Sequence, residues 1–250
     1  VSSERFERQM RWLAAHYSVL PLRDFVGRLI AGKSMRSIAA VTFDDGYAGV
    51  FDHAVPILNA LAVPATVFVV AAAVGHSCGF WWDQPEIVNS SSPDERHRRL
   101  SELRGDGDAI LAGRALVDRG LPPWYRPADW RTISERTGNG IDIGAHSVTH
   151  RSLPTLSDAE LEHEIVESRA MIKKSTGISA QFFAYPYGHW DSRVRDRVRS
   201  AGYLAGLTLD TGLNRTPTDR WSLRRVNIPA RISDAAFEAW AAGFHAQRRG

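Results

Sequence analysis

The sequence predicts an α/β protein: a distorted (β/α) barrel of about seven strands, with a partly helical insertion at about residues 77–129. Three observations carry this. Short apolar runs, too short for helices, alternate with segments of helical period. The connections between them are brief, as in right-handed parallel βαβ units. Finally, the polar clusters fall just after the apolar runs, where parallel barrels carry their chemistry. We expect residues 1–250 to form a single domain around this frame.

The elements follow in order. Phe6, Met10, Leu13 and Ala14 recur at helical spacing, so residues 6–17 predict an amphipathic helix. Residues 18–22 read as a short extended stretch, and Asp24 is placed to cap a second helix that runs to Ala31 and ends at Gly32. Residues 37–43 leave no room for a helix before Asp44-Asp45-Gly46 and predict a fully buried strand. Val50, Ala54, Ile57, Leu58 and Leu61 restore the helical period, and residues 64–70 predict a second buried strand. From 77 to 129 the text turns polar, with Trp81-Trp82, serines at 90–92 and glycines from 105 to 113. About fifty residues of this kind are marginal as an independent core. The rhythm then resumes: strands at 140–145, 181–184, 203–209 and 223–228, helices at 157–175, 192–201 and 234–244.

Composition narrows the function classes. With 44% hydrophobic and 24% charged residues, the chain is of ordinary globular make-up. Cys78 is the only cysteine, which excludes an intrachain disulfide and a cysteine-rich zinc site. The most apolar run, 63–74, is too short to span a bilayer and contains Pro64. Lysine stands only at 33, 173 and 174, and arginine supplies the rest of the 31 basic residues, which lifts the pI to about 9.2 at a net charge of only +3. The arginines are dispersed, not gathered in an aromatic-studded stripe, so no nucleic-acid partner is expected. Residues 2–9 are polar and no apolar leader follows. A cytoplasmic protein is expected if the chain is full length, and a secreted or cell-surface one if a leader was removed.

Three clusters carry chemistry. Thr42-Phe43-Asp44-Asp45-Gly46 closes a strand with adjacent carboxylates, which repel unless a cation neutralises them. The plain alternative is a helix cap with a first-turn acid. His146 and His150, at i and i+4, fall on one face of a helical turn and can reach one cation. Joined to a strand-end carboxylate they make a two-His, one-carboxylate site with open positions. The turn Tyr185-Pro186-Tyr187-Gly188 fixes its backbone and can aim an N–H at a developing oxyanion.

Together, Thr42-Phe43-Asp44-Asp45-Gly46, His146-Ser147-Val148-Thr149-His150 and the Pro186-Tyr187-Gly188 turn resemble the motifs of the polysaccharide deacetylase family, also called the NodB homology domain or carbohydrate esterase family 4. Residues 64–69, Pro-Ala-Thr-Val-Phe-Val, also resemble the family's second strand. The resemblance covers residues 6–228. It implies a metal-dependent hydrolase that removes an N-acetyl group from an amino sugar, glycan or glycoside. It also implies one divalent ion, zinc first, with cobalt, nickel or manganese as alternatives. By the same resemblance Asp44 is the general base, Asp45, His146 and His150 are the metal ligands, and the backbone N–H of Tyr187 is an oxyanion donor.

The departures are informative. Many members carry an arginine two residues before the proline of the third motif, where it holds the base; here that position is Ala184. Arg225, near the end of a later strand, is the candidate substitute. The family's late Leu-x-His motif, which supplies a general acid, has no counterpart, because Val226-Asn227-Ile228-Pro229 occupies that region. His189 reads as a surface loop residue and Asp210 as at most a supporting acid. Trp81, Trp82, Pro186 and Trp190 are candidates for the sugar-binding surface, with buried anchors as the alternative for the tryptophans. Competing functions are a catalytically silent sugar-binding domain of the same fold and a deacetylase or amidase for a non-polymeric metabolite. An Fe(II) oxygenase triad is disfavoured, since such sites sit on all-β folds and this pattern is βα.

Overall fold

Parallel pairing governs the architecture of the computed structural model, which describes residues 1–89, 92–112 and 121–244. Ser2 caps helix α1 (Ser3–His16) by accepting from the Arg5 N–H, and the helix buries Met10 and Leu13. Strand β1 (Ser18–Val19) leads into α2 (Leu22–Ile30). Its N-cap is Pro21; Asp24 sits inside the first turn, where it faces the positive end of the helix dipole without capping it.

The apolar run at 37–43 is neither one strand nor fully buried. It splits at Ala40 into β2 (Ile38–Ala39), paired with β1, and β3 (Val41–Phe43), and all of these residues are half-buried. The reason is position. The main sheet has six parallel strands in sequence order, β3 to β8, and β3 is an edge. The others are β4 (Ala65–Val69), β5 (Ile141–Ala145), β6 (Phe182–Ala184), β7 (Ala205–Thr211) and β8 (Leu223–Arg225). They curl into a half-barrel. Between its two edges lies a cavity of about 1110 Å³, lined among others by Phe6, Met10, Val41, Phe43, Leu207 and Leu223.

Both faces of the sheet are covered, which is why β4 is buried at every position. Val67 and Val69 join the outer core with Leu58, Ile143 and Ile165. Phe68, Phe182, Leu207 and Leu223 pack instead with Leu22, Val26 and Leu29 of α2. Phe68 passes so close to β5 that a Cβ at Gly144 would lie 2.3 Å from its ring, so only glycine fits there.

The helix after β3 opens as a π-turn at Val50–Ala54 before α3 (Val55–Ala60). Pro56 has no N–H and its ring crowds the carbonyl four residues earlier, so the turn widens and the Val55 N–H reaches back to the Val50 carbonyl. The insertion contains α4 (Pro85–Asn89), α5 (Pro93–Ser101) and α6 (Gly107–Leu111), with 3₁₀ turns at Trp81–Asp83 and Pro123–Tyr125. Residues 90, 91 and 113–120 of the stretch, Gly113 among them, lie outside the described residues. The remaining helices are α7 (Trp130–Arg136), α8 (Asp158–Thr176), α9 (Ser192–Ser200) and α10 (Asp234–Ala241). A capping box, Ser157 with Glu160, starts α8 and contributes on the order of 1 kcal/mol. No helix among the described residues is long and apolar enough to cross a membrane.

Candidate active site and metal centre

The candidate site residues gather at the C-terminal ends of the parallel strands. Asp44 and Asp45 follow β3, His146 follows β5, Tyr187 lies just beyond β6, and Arg225 ends β8. After Asp44 the chain takes left-handed values at Asp45 (φ 70°) and Gly46 (φ 71°). A Cβ at Gly46 would lie 2.9 Å from Val69 Cγ1, so glycine lets the turn close against β4. In this turn the adjacent carboxylates meet different partners.

Asp44 meets Arg225. Nη1 and Nη2 of the guanidinium donate to Oδ1 and Oδ2, each at 2.7 Å, while Nε donates to the Thr208 carbonyl at 2.8 Å. Burial alone would raise the Asp44 carboxyl, but the charge of Arg225, with a smaller contribution from His146, outweighs it and holds the pKa at about 2. Ala184, the position at which the resemblance leads us to expect an arginine, is fully buried, and its carbonyl serves another purpose.

That purpose is His146. Its Nδ1 lies 2.8 Å from the Ala184 carbonyl. A carbonyl only accepts, so Nδ1 carries the proton and Nε2 is left as a lone pair. His150 Nε2 lies 3.1 Å from His146 Nε2, and Asp45 Oδ1 lies 3.4 Å from His150 Nε2 and 3.5 Å from His146 Nε2. Burial pushes both imidazoles below their usual pKa, His150 well below. Burial, then the charges of Asp44 and Asp83, pushes the Asp45 carboxyl well above its usual range. Asp45 Oδ1 is buried with no hydrogen-bond partner. Two neutral nitrogens and an orphaned carboxylate oxygen converging this way suit a cation. A four-coordinate zinc with ligands at about 2.0–2.1 Å sets neighbouring ligand atoms about 3.4 Å apart. The residues fit the metal.

The histidines do not converge through a helical turn, as their spacing suggested. The segment is a loop with left-handed Ser147 (φ 64°) and His150 (φ 63°), conformations that cost roughly 1–2 kcal/mol each. The His150 N–H donates to Ser147 Oγ at 2.9 Å. The Val148 and Thr149 N–H groups donate to Glu164 and so are taken away from helix formation. On the β4 side, the His146 N–H donates to the Val69 carbonyl at 2.9 Å and continues the sheet into the loop.

Aromatic rings wall the cluster. The Tyr187 ring stands edge-on to His150 with centroids 4.4 Å apart, and the Trp82 ring lies 4.5 Å from His150 on a tilt. Tyr187 is itself left-handed (φ 59°), between buried Pro186 and Gly188. Trp82 Nε1 donates to the Tyr47 hydroxyl, which donates to Asp83 Oδ2, both at 2.8 Å. Burial raises the Asp83 carboxyl, and burial with the charges of Asp45 and Asp83 raises the Tyr47 phenol. Trp81 is buried, with its ring edge-on to Trp82. The structure takes Trp190 elsewhere: it stacks on Tyr185 and donates to Asp210 Oδ2 at 3.0 Å, a partnership invisible from spacing. His189 Nδ1 sits 3.2 Å from Ser152 Oγ. Sequence reasoning missed Tyr47, Asp83 and Glu164. Tyr47 and Asp83 had a usable signal, since each adjoins a motif already singled out; Glu164 had none.

Known proteins agree with this fold. Staphylococcus aureus poly-β-1,6-N-acetyl-D-glucosamine N-deacetylase is 24% identical over 251 aligned positions, covering 98% of this chain and 73% of that protein. Streptococcus pyogenes deacetylase PplD, solved with acetate, superposes with a TM-score of 0.70 at 18% identity, covering 98% of this chain and 88% of that one. IcaB from Ammonifex degensii gives 0.68 at 20% identity, covering 96% and 87%. The family model for polysaccharide deacetylase matches residues 31–206, a segment that holds Asp44, Asp45, His146, His150 and the Pro186-Tyr187 turn but ends before Arg225. The chain therefore belongs to the polysaccharide deacetylase family.

Proposed function

We propose that the chain is a metal-dependent N-deacetylase that releases acetate from N-acetylglucosamine units of a glycan. The observation that carries this reading is the convergence of Asp45, His146 and His150 beside an arginine-clamped Asp44. Asp45, His146 and His150 would hold one divalent cation, zinc first, with cobalt, nickel or manganese as alternatives. When bound, the cation supplies Lewis-acid chemistry to an otherwise unreactive amide carbonyl.

The chain's own residues do the rest. Asp44 accepts a proton from the attacking water and returns it to the amine nitrogen as the C–N bond breaks; both of its oxygens accept from Arg225, and each keeps a second lone pair for that task. Arg225 keeps Asp44 ionised and oriented. The Tyr187 backbone N–H donates to the developing oxyanion. Trp82 and the Tyr187 ring, both against His150, exclude water and pack the acetyl group and sugar. The 77–129 stretch brings Trp82 to the site and so bears on substrate choice, within one catalytic domain that spans the chain. The glycan class is supported by the name of the S. aureus relative, poly-β-1,6-N-acetyl-D-glucosamine N-deacetylase.

The test is acetate release from β-1,6-linked and β-1,4-linked N-acetylglucosamine oligomers. We expect release by zinc-loaded protein, loss on chelation and recovery on zinc return. Stoichiometric metal without acetate from any N-acetylated glycan would move the chain to the silent sugar-binding reading.

A further inference from the structure

We infer that Glu164, a buried glutamate on α8, is the positioning residue that sets the two imidazoles of the candidate cation site. Its side chain is 0% exposed, and the proposed chemistry has no use for it. Oε2 accepts from the Val148 and Thr149 N–H groups, each at 2.8 Å. Oε1 accepts from the Thr149 hydroxyl and from Arg151 Nε, the latter at 3.3 Å. All four donors belong to the residues between His146 and His150 or to the one just after.

A buried carboxylate is tolerated only when its lone pairs are filled. Here they are filled entirely by the ligand loop, so keeping Glu164 satisfied and keeping the loop in shape are the same condition. The loop needs that help. Ser147 and His150 both hold left-handed angles that L-residues avoid, and these place the two Nε2 atoms 3.1 Å apart. A helical turn would draw the Val148 and Thr149 N–H groups toward carbonyls four residues earlier; Glu164 removes that alternative. Arg151 carries the restraint outward. Its Nη1 donates to Glu160 Oε1 at 3.1 Å, and Glu160 Oε2 accepts from Arg104 Nη2 at 2.6 Å. The insertion, α8 and the ligand loop are thereby linked.

This inference rests on the cation assignment made above, and the experiment separates the two. The affinity for Zn²⁺ is measured by competition with a chelating dye, well below each protein's melting temperature. The proteins are the wild type, Glu164→Ala, Glu164→Gln and Thr149→Val. Glu164→Ala is expected to bind Zn²⁺ about 10- to 100-fold more weakly, the usual scale for removing a support behind a metal ligand. Glu164→Gln should recover most of the loss, because its amide oxygen still accepts both N–H groups. A folded Glu164→Ala protein with wild-type affinity overturns the inference. If Glu164→Ala does not fold, Thr149→Val decides: this exposed residue loses only its hydroxyl bond, weaker Zn²⁺ binding supports the inference and unchanged binding overturns it. A wild type that takes up no stoichiometric Zn²⁺ overturns the cation reading itself, and the inference with it.

Discussion

Arg225 and Asp44, 181 positions apart, form a two-pronged ion pair with both contacts at 2.7 Å across the open seam of the half-barrel. The two side chains are only 12% and 23% exposed, so the pair is partly shielded from solvent. Edge strands β3 and β8 thus meet through side chains where no backbone ladder joins them.

Removing the arginine should disable the base without touching the metal. Arg225→Ala is expected to lower kcat about 10- to 100-fold, the range seen when a supporting partner of a site residue is lost. The sign on the pH axis is fixed. The guanidinium holds Asp44 at about 2, below the ordinary 3.8, so the variant's carboxyl titrates higher and the acidic limb of the pH–rate profile moves to higher pH. By linkage, the wild-type pair stabilises the fold fully above about 3.8 and loses that contribution as the pH falls through about 2. Arg224, exposed and on the opposite side of β8, is the control, and Arg224→Ala should leave the profile unchanged.

The cation site predicts a stoichiometry. A His146→Ala, His150→Ala double variant should lose its divalent metal on elemental analysis, because one carboxylate oxygen cannot hold the ion alone. Retention of one equivalent would place the metal elsewhere.

Asp44→Asn tests the base. Its amide can still accept a hydrogen bond from Arg225 but cannot take the proton from water, so metal content should stay at wild-type level while turnover falls by ~10² to 10⁴. Near-normal kcat in metal-replete protein would assign the proton transfer to another group.

The two neighbouring tryptophans should behave differently. Trp82 touches His150, so Trp82→Ala is expected to raise KM for the glycan more than it lowers kcat. Trp81 is buried, and Trp81→Ala should cost roughly 3 kcal/mol of stability, read by thermal or urea unfolding. Equal effects of the two changes on KM and on stability would show that both rings serve one role.

Much of this protein is legible in local patterns. The βα alternation, the strand-end Asp44-Asp45 pair, the His146/His150 spacing and the Pro186-Tyr187-Gly188 turn all depend on residues within a few positions of one another, and short-range periodicity reports them. Local patterns mislead where distant contacts override them. The three-residue spacer between His146 and His150 suggests a helical turn, but Glu164 captures the amides that a helix would need. The apolar run at 37–43 suggests full burial, but burial depends on neighbours and β3 lies at an edge.

What the sequence determined by itself was the βα alternation and the candidate residues at the strand ends, because backbone propensity and apolar periodicity act along the chain. What only the tertiary structure decided was which of these residues meet. Curling six parallel strands into a half-barrel brings Arg225 to Asp44, sends Trp82 to His150 and Trp190 to Asp210, and seats Glu164 behind the ligand loop. Those pairings depend on sheet curvature and helix packing summed over the whole fold, and no window of neighbouring residues contains that sum.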